Sequence, residues 1–236
     1  MLKRPRGHTQ PDSTYYGLPV IEPKKVKLGF FLIGSIVVAA AALLSFGWLA
    51  EEVLQSETQA FDDAVRAAIH RLATPGMTSA MQVFSFLGSG TLLVALSLLT
   101  IVIFLYIHRP RSAHLMGITM AGAVALDLLL KHAFHRGRPV PFFGTAPSSY
   151  SFPSGHAFAS LCFYGALAGI LSAHASTPRA RLFIWTCAAL LVGLIGFSRI
   201  YLGVHYPSDV LGGYCAALVW VGAIGILNHV LNNRAR

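Results

Sequence analysis

Six stretches of the chain are apolar enough and long enough to cross the hydrocarbon core of a bilayer, which takes about 20 helical residues. They run over Leu28–Ala50, Phe84–Ile107, Ala113–Leu130, Gly155–Ala173, Leu182–Ser198 and Val210–Val230. A bilayer admits only helices or closed barrels, because every backbone polar group must be paired within it. These runs are continuous rather than alternating, which selects helices. The fold expected is all-α: a polytopic membrane protein with six transmembrane helices in one domain over residues 28–231, after a flexible leader at 1–27 and before a short tail at 232–236. A mean hydropathy of +0.62 agrees. The first stretch is longer than the roughly 7–15 residues of a signal-peptide core and lacks a small-x-small cleavage site before Glu51, so it reads as a retained anchor.

A net charge of +9 raises the possibility of a nucleic-acid partner, but the placement of the charge argues against one. Six basic residues lie in the leader (Lys3, Arg4, Arg6, Lys24, Lys25, Lys27) and six flank spans (Arg109, Arg111, Arg179, Arg181, Arg234, Arg236). With both termini cytoplasmic, six crossings put all of these on the cytoplasmic side, as the positive-inside rule asks. Arg66, Arg71, Lys131, Arg136, Arg138 and Arg199 then fall on the outer side, together with the acidic segment Glu51–Asp63. Topology explains the charge, and no nucleic-acid partner is expected.

Three polar clusters are set into this apolar frame: Lys131 with Arg138-Pro139, then Pro153-Ser154-Gly155-His156, then Ser198-Arg199 with His205 and Asp209. Charged residues at hydrophobic spans are costly and point to function. Lys131 ends the third span on the outer side, Ser154-Gly155 opens the fourth, Arg199 closes the fifth, and His205 and Asp209 open the sixth. Four helix ends therefore converge at one depth. Ser154 is placed to N-cap its helix and leave the Gly155 and His156 amides free. Such amides, backed by the helix dipole, bind anions, and Gly155 lets an oxygen approach the backbone closely. Arg138 and Arg199 offer forked donors and Lys131 a compact charge. The set suits an anion with several oxygens, such as phosphate. The sequence holds no ligand set for zinc and no paired-carboxylate magnesium site, so neither metal nor cofactor is expected.

The spacings K-x6-R-P (Lys131 to Pro139), P-S-G-H (Pro153 to His156) and S-R-x5-H-x3-D (Ser198 to Asp209) are unbroken and in order. In this the chain resembles the type 2 phosphatidic acid phosphatase (PAP2) family, related to the vanadium haloperoxidases, over roughly residues 57–228. The resemblance implies that His205 attacks phosphorus to form a phosphohistidine and that Asp209 holds the other ring nitrogen. It implies that His156 protonates the leaving oxygen and later activates water. The substrate implied is a membrane lipid phosphate or diphosphate of the undecaprenyl diphosphate, phosphatidylglycerophosphate or phosphatidate type, hydrolysed at the outer face of a bacterial cytoplasmic membrane. Vanadate-dependent halide oxidation is the alternative chemistry, but those relatives are soluble. A non-catalytic lipid or anion carrier is the other alternative, and it would need cations but no nucleophile.

Other residues receive plainer readings. Asp127, one turn before Lys131, is expected either to hold the Lys131 ammonium toward the phosphate or to make an interior hydrogen bond that only aids folding. Arg136 is weighed as a contact for a second phosphate or a headgroup, as the lesser alternative to a plain structural role. His132, His135, His229, Tyr201 and Tyr206 are read as packing or bundle residues, and Cys162, Cys187 and Cys215 as small apolar ones. Thr58–Leu72 has Phe61, Val65, Ile69 and Leu72 at helical spacing with its charges on other faces. It is expected as an amphipathic helix ended by Pro75-Gly76, either lying on the outer membrane surface or packed on the bundle as a connector. Phe142, Phe143, Tyr150 and Phe152 in the outer loop are expected to line a lipid mouth or to anchor the loop at the interface.

Overall fold

A computed structural model of the protein describes residues 23–145 and 147–234. Within them the chain forms eight helices and no strand: α1 (Pro23–Leu54), α2 (Gln59–His70), α3 (Pro75–Leu87), α4 (Gly90–Tyr106), α5 (Pro110–Phe134), α6 (Gly155–His174), α7 (Pro178–Tyr201) and α8 (Pro207–Arg234). Five are long and apolar enough to cross a membrane, and α3 with α4 makes a sixth span if that bent pair counts as one. Most of the expected leader, residues 1–22, lies outside the described residues, and its last five residues are helical, as the first turns of α1. The expected tail is likewise helical as far as Arg234.

Helix starts follow local chemistry. Proline occupies the first turn of α3, α5 and α7, where its missing N–H costs nothing. Thr74, Ser89 and Thr177 each accept a backbone N–H of the helix they cap. Pro75-Gly76 therefore does not simply end the preceding helix; the Thr-Pro pair starts the next one. The second expected span, read as continuous from Phe84, is broken instead. α3 and α4 meet at Gly88-Ser89 with a 48° bend. Ser89 caps α4, and the Tyr164 hydroxyl donates to the Leu87 carbonyl that the break leaves open, at 2.9 Å. A Cβ on Gly88 would sit 2.3 Å from Ile195 Cγ2, so the junction packs against α7 too closely for a side chain there.

α6 is the centre of the bundle, packed on α4, α5, α7 and α8, while α1 lies along α8. Phe158, Cys162 and Phe163 of α6 are buried with Leu93, Met116, Met120, Ala123 and Ala217 in the largest apolar cluster. Tighter packing of apolar atoms around this helix fixes where its first turn, and hence the site, stands. The loop aromatics pack on other rings at different depths. Phe152 is fully buried and packs against Phe46 and Phe134. Phe143 stacks on Tyr201 and Phe142 on His70, both phenylalanines half-buried, and Tyr150, edge-on to His135, is exposed. Burial of such rings outweighs interfacial anchoring. Cys162 is buried, Cys187 exposed and Cys215 between them, all as free thiols.

Candidate active site

Lys131 stands in the last turn of α5, and its Nζ lies 2.8 Å from Asp127 Oδ2, one turn earlier. This pair presses on the start of α6. A Cβ on Gly155 would come within 2.8 Å of Asp127 Oδ1 and 2.9 Å of Lys131 Nζ, so only glycine lets them approach the helix N-terminus. Ser154 occupies the N-cap position, but its side chain makes no capping bond, contrary to expectation. Its N–H instead donates to the Asp209 carbonyl at 2.9 Å, and its Oγ is buried without a partner. His156, in the first turn of α6, has Arg199, His205, Lys131 and Arg138 all close enough to act on its charge.

His205 is 1% exposed, in the turn between α7 and α8. Arg138 Nη1 lies 2.9 Å from its Nε2. An arginine has only donors, so Nε2 must carry the lone pair and Nδ1 the proton. That proton points to Asp209 Oδ2 at 3.3 Å. The same oxygen accepts from the Ser151 hydroxyl at 2.5 Å and the Tyr206 N–H at 2.8 Å, while Oδ1 accepts from Arg136 at 2.7 Å. Burial holds the His205 pKa down at about 4; the hydrogen bond and charge of Asp209 pull it up, and Arg138 and Arg199 push it down. The ring is therefore neutral at neutral pH, with its lone pair facing Arg138.

The cations divide into two kinds. Arg136 is paired with both Asp62 and Asp209, which favours a structural clamp over the second-phosphate or headgroup contact. Arg138 and Arg199 form no salt bridge with any described carboxylate. Burial lowers the Arg138 pKa, with Asp209 and Asp127 opposing. Arg199 is 7% exposed; its Nη1 donates to Ser85 Oγ of α3, and its Nε is buried without a partner. Each orphaned buried polar atom costs about 1–3 kcal/mol, and an anion's oxygens would relieve that cost for Ser154 Oγ and Arg199 Nε. Among the described residues, no three His, Cys, Asp or Glu side chains are grouped to hold a metal.

The structure thus gathers Lys131, Arg138, Gly155, His156, Arg199, His205 and Asp209 around one point, with Asp127 behind Lys131. Sequence reasoning missed Asp62, Ser85, Ser151 and the role of Arg136. The only signal for Asp62 was its position one turn before Arg66, which makes a charged pair on a single face.

The model of the PAP2 superfamily matches residues 91–232. Phosphatidylglycerophosphatase B of Bacillus subtilis is 29% identical over 177 residues, 75% of this chain and 87% of that protein. Lipid A 1-phosphatase of Rhizobium johnstonii is 39% identical over 95 residues, 36% of this chain and 35% of that protein. The crystal structure of a transmembrane PAP2-type phosphatidylglycerolphosphate phosphatase from Bacillus subtilis superposes with a TM-score of 0.75 at 26% identity, covering 84% of this chain and 97% of that one. With three motifs converging on one pocket and a family match over more than half its length, the chain belongs to the PAP2 superfamily.

Proposed function

We propose that the protein is an integral membrane phosphatase that hydrolyses a lipid phosphate or diphosphate through a phosphohistidine. The observation that carries this reading is the His205 geometry: a buried ring with its lone pair on Nε2, its proton directed to Asp209, and two arginines without carboxylate partners beside it. A pure anion carrier needs the arginines but not the oriented nucleophile. Nε2 forms a bond to phosphorus as the bond from phosphorus to the lipid oxygen breaks, and that oxygen takes a proton from His156. Neutral His156 then takes a proton from water, whose oxygen attacks phosphorus. The P–N bond breaks, and phosphate leaves. Lys131, Arg138, Arg199 and the Ser154–Gly155 helix start stabilise the charge of the five-coordinate state, and Asp127 holds Lys131 in place.

The site sits at the α5 C-terminus and the α6 and α8 N-termini, while Arg109, Arg111, Arg179 and Arg181 lie at the opposite ends of their helices. The positive-inside rule then puts the basic end in the cytoplasm and the site at the outer face of a bacterial cytoplasmic membrane. The broad similarity to a phosphatidylglycerophosphatase favours a glycerophospholipid phosphate monoester, with polyprenyl diphosphate next. Purified protein in detergent should release phosphate from one or more members of a panel of these lipids, undiminished by EDTA. Release from none, or absolute dependence on magnesium, would overturn the reading.

A further inference from the structure

α2 turns two of its charges inward. Asp62 is fully buried and Arg66 nearly so, whereas Phe61, on the apolar face expected to meet either the membrane surface or the bundle, is 55% exposed. A buried carboxylate is tolerated only when paired and hydrogen-bonded, and the partners of Asp62 are distant in sequence. Its Oδ1 accepts the Ser208 N–H at 2.9 Å. Its Oδ2 accepts the Ser208 hydroxyl at 2.5 Å and Arg136 Nη2 at 2.8 Å. The other arm of Arg136 donates to Asp209 Oδ1 and to Ser208 Oγ, both at 2.7 Å. An unbroken chain of contacts therefore runs Asp62, Arg136, Asp209, His205. Arg66 closes its outer side, donating to the Val140 carbonyl at 2.8 Å and lying over the rings of Phe142 and Tyr206.

Two carboxylates share one guanidinium. Without Asp62, Arg136 would give its whole charge to Asp209 and weaken the hold of that carboxylate on the His205 proton. Ser208, the residue before Asp209, would also lose both of its hydrogen bonds to Asp62 at the first turn of α8. We propose that Asp62 is a positioning residue for phosphoryl transfer, fixing the orientation of Asp209, and through it the aim of His205, by way of Arg136 and Ser208. The inference rests on the phosphatase reading above. Asp62 lies outside the residues matched by the family model, so the match itself does not assign it.

Asp62→Asn keeps the shape and removes the charge. In the full chain in detergent, with the lipid phosphate that the wild type hydrolyses fastest, kcat should fall about 10–100-fold, as when a group that orients a reacting residue is lost. KM and the inhibition constant of inorganic phosphate should stay within about threefold, because the anion cradle is untouched. Arg136→Gln should cost as much, and the double variant no more than the worse single, since the two act in series. Asp63→Asn, one residue along on the exposed face, should leave kcat unchanged. Wild-type kcat in a folded Asp62→Asn protein, a loss falling on KM and phosphate inhibition, or additive losses in the double variant would each overturn the inference. Should Asp62→Asn not fold, Ser208→Ala carries the test: a kcat-only loss supports the inference and wild-type kinetics overturn it. A wild type that releases no phosphate from any lipid would overturn the phosphatase reading and this inference together, whereas an active wild type beside an equally active Asp62→Asn protein overturns this one alone.

Discussion

A buried imidazole flanked by two arginines has given up its proton well below neutrality. With the His205 pKa lowered to about 4, the nucleophilic form persists from neutral pH down to that value and is lost only as pH falls through it. The acid limb of kcat/KM should therefore appear near pH 4 rather than near the ordinary histidine value, once the substrate's own titration is subtracted from the profile; an acid limb at 6.5 would show His205 to be solvated. His205→Ala should abolish turnover, and His156→Ala should let a labelled phosphoenzyme accumulate with substrates that have good leaving groups. Label trapped in the His205 variant would reassign the nucleophile. Asp127 is separable from both. Asp127→Asn should insert and melt like the wild type but lose about tenfold in kcat/KM, ~1.4 kcal/mol of transition-state binding, because Lys131 loses its 2.8 Å partner. Unchanged kinetics would leave Asp127 as a folding residue only.

Among the elements, the broken second span does what a straight helix would not. α3 leans on α7 and brings Ser85 to Arg199, while α4 packs on α5 and α6. Ser85→Ala should raise KM about fivefold, the worth of one hydrogen bond near 1 kcal/mol, with a smaller change in kcat; steady-state kinetics on the purified variant check it. The three motifs were legible because a phosphoryl site needs fixed residue types at short spacings on helix ends, and those spacings survive in one dimension. The break was hidden because hydropathy averages across Gly88-Ser89 without interruption. Asp62 and Ser85 were hidden because their partners lie 146 and 114 residues away. α2 was legible as a helix from its apolar period, but not that Asp62 and Arg66 are the residues it buries. Ser154 was expected as a cap by residue type, yet its hydroxyl is left over for something other than the helix.

At the scale of the whole molecule, the protein is a bundle of apolar helices with its polar clusters gathered at one end, and that end must also exist without substrate. Arg138 matters in that state. All five of its N–H groups are engaged, by the Ser149 carbonyl and hydroxyl, the Tyr150 and Val204 carbonyls, and the Nε2 of His205. The idle His205 ring is thus capped by a guanidinium that, on the proposed function, also grips phosphate, and a phosphoryl oxygen would then displace the imidazole from Arg138 to set the lone pair at liberty. Small acylating electrophiles, which carry no anion to make that exchange, should find the resting enzyme inert. Diethylpyrocarbonate should accordingly modify His205 slowly in the wild type and faster in Arg138→Ala, as read by mass spectrometry of the His205 peptide. On that reading the arginine would serve as a safety catch as well as a ligand, released by a molecule of the right charge.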